Sequence, residues 1–196
     1  RQPISTYRSQ NRGGRGVQGM GTHDDDYVKE LLSTSTHDYL LFFTNKGKVY
    51  QKKAYTIPEY GRTAKGLPIV NIIEIAQDEE ISAIIPVKEF NENEFLFFAT
   101  RTGVVKRTTL SAFGNIRTNG LIALSLREDD ELIGVRKTTG SNDIVIASSG
   151  GKLVWFEEDQ VRSMGRTAAG VRGINLEEGE VAVGMEIVTE DQEILI

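Results

Sequence analysis

The chain is organised by short apolar runs, each interrupted by a glycine-containing turn and answered by a second run. Leu41-Phe42-Phe43 leads through Thr44-Asn45-Lys46-Gly47 to Val49-Tyr50. Leu96-Phe97-Phe98-Ala99 leads through Arg101-Thr102-Gly103 to Val104-Val105, and Ile144-Val145-Ile146-Ala147 through Ser149-Gly150-Gly151 to Leu153-Val154. β-branched and aromatic residues on both sides of a Gly turn predict three β-hairpins. Further apolar runs recur after each hairpin. One set is Leu67-Pro68-Ile69-Val70, Leu121-Ile122-Ala123-Leu124 and Val171-Arg172-Gly173-Ile174. The other is Ile81-Ser82-Ala83-Ile84-Ile85, Leu132-Ile133-Gly134-Val135 and Val181-Ala182-Val183-Gly184-Met185. Together these predict four strands per unit. No segment sustains apolar positions at a spacing of 3.6, so the pattern predicts an almost all-β chain.

The units repeat. Four loops align: Arg12-Gly13-Gly14-Arg15-Gly16, Arg62-Thr63-Ala64-Lys65-Gly66, Arg117-Thr118-Asn119-Gly120 and Arg166-Thr167-Ala168-Ala169-Gly170. Their final glycines are separated by 50, 54 and 50 residues. Acidic turns keep step at Asp24-Asp25-Asp26, Asp78-Glu79-Glu80, Glu128-Asp129-Asp130-Glu131 and Glu177-Glu178-Gly179-Glu180. A period near 50 residues with four strands per period is the signature of a propeller blade. We therefore read residues 1–196 as one propeller-like domain of about four blades. Its units are 1–37, 38–92, 93–141 and 142–191, with the start of a further unit at 192–196. The first unit lacks a hairpin, and the chain reads as part of a longer polypeptide.

Charge changes the picture. The net charge is −5, which by itself argues against a nucleic-acid partner. The distribution argues for one. Residues 1–22 carry Arg1, Arg8, Arg12 and Arg15 without an acid. Residues 44–66 carry Lys46, Lys48, Lys52, Lys53, Arg62 and Lys65 against Glu59 alone, and residues 101–120 carry Arg101, Lys106, Arg107 and Arg117 without an acid. In a repeat fold, periodic segregation by sign becomes spatial segregation. These residues predict a basic rim that attracts a phosphate backbone, with the acidic turns facing away from it. In the last unit Lys152, Arg162, Arg166 and Arg172 are offset by Glu157, Glu158 and Asp159, so the basic track should fade there.

The heptad Gln10-Asn11-Arg12-Gly13-Gly14-Arg15-Gly16 combines bare backbone, which can approach a phosphate closely, with forked guanidinium donors. It resembles the glycine–arginine box of the bacterial DNA gyrase A subunit. The units of roughly 50 residues around it resemble that protein's C-terminal β-pinwheel, over essentially the whole chain. Asn11 stands where the family usually carries a second cation, which removes one phosphate contact. The resemblance implies a DNA-binding domain that is not itself an enzyme. Such a domain wraps duplex DNA around its rim in a positive sense, with the box loop fixing the wrap. The whole enzyme would then introduce negative supercoils, using ATP and Mg²⁺ bound elsewhere. Its further partners would be the B subunit of gyrase together with a second A subunit.

Other chemistry is excluded or weaker. Gly14-Arg15-Gly16-Val17-Gln18-Gly19 fits the dinucleotide pattern GxGxxG, but no strand precedes it and no helix follows. Tyr7 lies in a polar leader and reads as non-catalytic. There are no cysteines and two histidines. A disulfide framework and thiolate metal sites are therefore excluded, no metal or catalytic constellation stands out, and a cytoplasmic setting is the simplest expectation. No apolar stretch approaches a membrane span. Phe42, Phe43, Phe97, Phe98 and Trp155 fall in strand patterns and are expected in the core. The competing function is a protein-binding propeller without DNA affinity.

Overall fold

A computed structural model of the protein describes residues 1–189 and 191–193. Its strands are β1 (Tyr39–Thr44), β2 (Lys48–Lys53), β3 (Ile81–Val87), β4 (Phe95–Thr100), β5 (Val104–Thr109), β6 (Leu121–Ile122), β7 (Leu132–Thr138), β8 (Asp143–Ser148), β9 (Leu153–Glu157), β10 (Val171–Arg172) and β11 (Ala182–Val188). The three expected hairpins are β1–β2, β4–β5 and β8–β9, all antiparallel.

Three sheets form, with strand orders β3-β1-β2-β6, β10-β5-β4-β7 and β11-β8-β9. The outermost strand of each four-stranded sheet comes from the following unit. Thus β6 pairs Leu121 with Val49 and Ile122 with Lys48, and β10 pairs Val171 with Val105 and Arg172 with Val104. This exchange covers the edge of each hairpin and ties one blade to the next. At the other edge β3, β7 and β11 lie side by side. The Ser82 hydroxyl donates to the Leu132 carbonyl at 2.8 Å across that seam.

Both faces of the first two hairpins are largely buried, which explains their unbroken apolar runs. Leu41, Phe43, Leu96, Phe98 and Phe113 fill the space between the first and second sheets, with Phe43 edge-on to Phe98 at 5.6 Å. Phe97, Ala99, Val105, Ile144, Ile146 and Met185 do the same between the second and third. Leu40, Phe42 and Tyr50 face the segment around Ile69, Ile72 and Ile73. Each fully buried Phe contributes roughly 1.5–3 kcal/mol.

Three expectations are corrected. Residues 1–37 carry no strand, and the run 67–70 is a 3₁₀ turn at Ile69–Asn71 behind Pro68. Strand exchange explains both: such runs pair with a preceding hairpin, and the first hairpin of this chain begins at Tyr39. Three of the four units therefore contribute a sheet. Trp155 is not a core residue. It is 56% exposed on β9, the edge of the third sheet, and its indole N–H donates to Asp143. The expected opening strand at 192–196 lies, apart from its first two residues, outside the described residues.

A periodic feature escaped the pattern reading. Short 3₁₀ turns occur at Ile4–Thr6, Ala54–Thr56, Leu110–Phe113 and Glu158–Gln160, once per unit just ahead of each glycine loop. The first unit keeps the register of the repeat in this way although it forms no strand.

Candidate nucleic-acid interface

The box loop is a self-closed turn. The Gly14 N–H donates to the Asn11 carbonyl at 2.9 Å. The Gly16 N–H donates to the Gln10 side-chain oxygen at 3.0 Å, so Gln10 spans the loop. A Cβ at Gly14 would stand 2.4 Å from the Gln10 side-chain oxygen and would displace it from the loop it spans. The final glycines of all four loops adopt positive φ, from 73 to 93°. In this loop Gln10, Asn11, Arg12, Gly13, Gly14, Arg15 and Gly16 are all exposed. Arg12 and Arg15 form no ion pair with any described residue.

The loop is carried on the following unit. The Arg1 side chain donates to the Ile57 carbonyl at 2.8 Å and faces Glu59 at 3.4 Å. The Tyr60 N–H donates to the Arg1 carbonyl and the Gly21 N–H to the Thr63 carbonyl. Arg62 donates to the Gln18 carbonyl at 2.9 Å, and the Lys65 ammonium lies 3.2 Å from the His23 ring. Arg62 and Lys65 thus dock the box segment as well as adding charge beside it.

The expected rim residues divide. Lys46, Lys65, Arg101 and Arg117 are exposed; Lys52 is half-buried on β2. Lys48 is drawn to the buried Glu79 at 3.1 Å, which also accepts from the Tyr50 hydroxyl at 2.7 Å. Burial and that carboxylate push the Tyr50 phenol well above its ordinary range. Lys53 lies over the Tyr39 ring at 3.4 Å, and Arg101 stands 3.9 Å from Glu131.

Two of these residues do not belong to a rim. Lys106 is fully buried, and Arg107 stacks 4.7 Å from the Phe95 ring centre, facing Glu158 at 3.7 Å between the second and third sheets. The reason is strand geometry: alternating side chains on a strand enclosed by two neighbouring blades point into one seam or the other, not to water. Lys106 occupies the position on β5 that Tyr50 occupies on β2, opposite Phe98 and Phe42 respectively. Its ammonium donates to the carbonyls of Ala123 and Arg166.

The acidic turns also do not face away. Those at 78–80, 128–131 and 177–180 pack beside the hairpin turn of their own blade. The Arg101 N–H donates to the Glu131 carbonyl and the Asn45 N–H to the Glu80 carbonyl. Asp130 accepts from the Thr102 N–H and hydroxyl, and Lys152 pairs with Glu177 and Glu180. Acids thus trim the cationic edge at the hairpin turns and leave the loops 10–16 and 115–119 cationic. The offset expected in the last unit fails for Glu158. That residue is fully buried and committed to Arg107, Thr138 and two backbone N–H groups. Arg166, which the predicted rim omits, forms no ion pair with any described residue. A loop arginine aligned with Arg12 was the available signal.

Burial without an acid, with Arg166 beside it, pulls the Lys106 ammonium from its ordinary 10.5 down to about 7. The unfolded chain holds this proton up to the ordinary value and the folded chain releases it lower. Stability should therefore rise with pH between about 7 and 10.5, by about 1 kcal/mol per pH unit, and be flat below 7. In Lys106→Met that contribution disappears. Urea unfolding of both proteins from pH 7 to 9.5 checks it, and equal slopes would refute it.

Among the described residues no helix is long and apolar enough to cross a membrane, and no group of three or more His, Cys, Asp or Glu side chains could hold a metal ion.

Antiparallel blades that adjoin along β3, β7 and β11, the first two each closed by a strand from the following unit, define a propeller domain of the strand-exchanged kind with a cationic loop. The sequence profile of the family described as "DNA gyrase C-terminal domain, beta-propeller" matches residues 1–35, 38–88, 94–139 and 142–189. The chain belongs to that family. The DNA gyrase A subunit of Halalkalibacterium halodurans is 59% identical over 175 residues, 89% of this chain and 21% of the relative. Its Staphylococcus aureus counterpart is 56% identical over 188 residues, 95% of the chain and 21% of the relative. The chain thus spans about a fifth of the curated relatives it matches. Among solved structures, the C-terminal domain of DNA topoisomerase IV superposes with a TM-score of 0.74 at 37% identity, covering 79% of this chain and 48% of that one. The DNA gyrase A C-terminal domain gives 0.72 at 27% identity, covering 95% and 60%.

Proposed function

We propose that this domain binds duplex DNA without sequence preference and wraps it in a positive sense around the outer edge of the disc, beginning at the box loop. The observation that carries the reading is the closed loop 10–16, which presents Arg12 and Arg15 to solvent with no acid beside them. Phosphate contacts of this kind position a duplex and do not read its bases. Bending a duplex through tens of degrees costs on the order of 1–6 kcal/mol, so contacts must be spread along a curved edge. Lys46, Lys52, Lys65, Arg101 and Arg117 offer them. Within the whole enzyme the wrap delivers a neighbouring segment of the same DNA for strand passage, coupled to ATP hydrolysis and Mg²⁺ chemistry in other parts. The implied partners are the B subunit of gyrase together with a second A subunit, and the implied setting is the cytoplasm.

The test is topological. Nicked plasmid is ligated in the presence of the chain at low salt and deproteinised, and its linking number is read. A positive shift is expected. Salt-sensitive binding without a shift would refute wrapping, and no binding would favour the protein-binding propeller.

A further inference from the structure

A groove of about 610 Å³ opens where the loop after the second hairpin crosses to lend β6 to the first sheet. Gln51, Asn115, Arg117, Asn119 and Arg166 line it, and no acid does. Arg166 reaches it from the next unit's glycine loop. The Nε and Nη1 atoms of Arg166 are buried and have no hydrogen-bond partner among the described residues. A guanidinium can only donate, so donors left without partners gain an acceptor when the side chain turns toward an anion in the groove. Behind it Lys106 Nζ donates to the carbonyl of Arg166, again with no acid nearby. Arg117 is exposed at the mouth. Gly120 holds the loop tightly to the blade: its φ is +82°, and a Cβ would stand 2.8 Å from the Tyr50 ring.

We propose that Arg166, with Arg117 at the mouth and the amides of Gln51, Asn115 and Asn119 around it, forms a phosphate-binding subsite between the first two blades that takes a backbone phosphate of the duplex. The forked guanidinium of Arg166 suits two phosphate oxygens at once. The three amides donate to the remaining oxygens without adding repulsion. Because the groove lies beside the exchanged strand, it holds DNA at a blade junction, where a curved path must be pinned. The assignment rests on the duplex-wrapping reading.

The experiment measures binding of a 40-base-pair duplex to the intact chain across a salt series, alongside thermal unfolding with inorganic phosphate. The variants are Arg166→Gln and Arg117→Gln; the second changes only an exposed loop residue and leaves folding intact. Arg101→Gln is the rim control. Arg166→Gln should lower the salt slope by about one, which is about fourfold in affinity between roughly 50 and 200 mM salt. It should also abolish stabilisation by inorganic phosphate, and Arg117→Gln should weaken both. Arg101→Gln should leave the phosphate effect unchanged. Unchanged duplex slopes in both groove variants, with the unaltered chain binding normally, overturn the subsite and leave the wrapping reading standing. A phosphate effect that depends on Arg166 without any change in duplex slope means a free-anion site, which overturns the duplex assignment. Failure of the unaltered chain to bind duplex overturns the wrapping reading itself and the duplex assignment with it.

Discussion

Replacing Arg12 and Arg15 together with Ala should abolish the positive linking-number shift while leaving most of the duplex affinity in place. The two guanidiniums lie on a loop whose shape is set by Gln10, Gly14 and backbone hydrogen bonds. Their removal therefore takes away charge without unmaking the loop. Two lost phosphate contacts lower the salt slope by about two, which is about tenfold in affinity between roughly 50 and 200 mM. The remaining exposed cations still hold DNA against the disc. The hand of the wrap is different in kind, because it depends on fixing one end of a stiff duplex against the cost of bending. A double variant that still shifts the linking number would remove the box from the mechanism. Replacing Gln10 with Ala separates shape from charge: it keeps both arginines and removes the acceptor that closes the turn, so a loss of shift there would show that the geometry of the loop matters too.

Glu158→Ala should be the most damaging single substitution for stability, costing about 3–5 kcal/mol, because it leaves buried partners uncompensated. One carboxylate oxygen accepts from the Gly140 and Asn142 N–H groups, both at 2.8 Å, and the other from the Thr138 hydroxyl at 2.6 Å. Arg107, which is nearly enclosed, faces the same oxygen at 3.7 Å. Deletion orphans two backbone donors, a hydroxyl and a guanidinium at the seam between the second and third sheets. For a chain of this size the melting temperature should fall by roughly 10 °C. Glu158→Gln keeps an acceptor for the two N–H groups and should lose clearly less. Similar melting of the two variants would show that the charge, and not the hydrogen-bond hub, carries the effect.

The repeat was legible because each landmark serves a local need. A hairpin turn requires glycine near Gly47, Gly103 and Gly151, and a loop ending at positive φ requires Gly16, Gly66, Gly120 and Gly170. Such demands recur wherever the unit recurs, so they surface as a period. The box was legible for the same reason, since its closure involves residues only six apart. Lys106 and Arg107 were misplaced because neither face of their strand meets water. Alternation then separates one buried seam from another and does not separate core from surface. Trp155 was misplaced by the converse error, since its strand is a sheet edge among the described residues. The acids were misplaced because charge segregation along a chain gives a position in the repeat but not the neighbour that position meets.

The sequence by itself determined the all-β character, the period near 50 residues, the three hairpins and the self-closed cationic loop. These depend on backbone preferences and on contacts within one unit. Tertiary structure alone decided that β6 and β10 are lent backward to the preceding hairpin. It decided that Glu158 is consumed in a buried hub, that Lys106 lies behind Arg166, and that two arginines from different units meet over one acid-free groove. Most of these join residues some 40 to 70 positions apart. They follow from how blades pack against one another, and a repeating local pattern carries no record of which neighbour's side chain fills the seam between them.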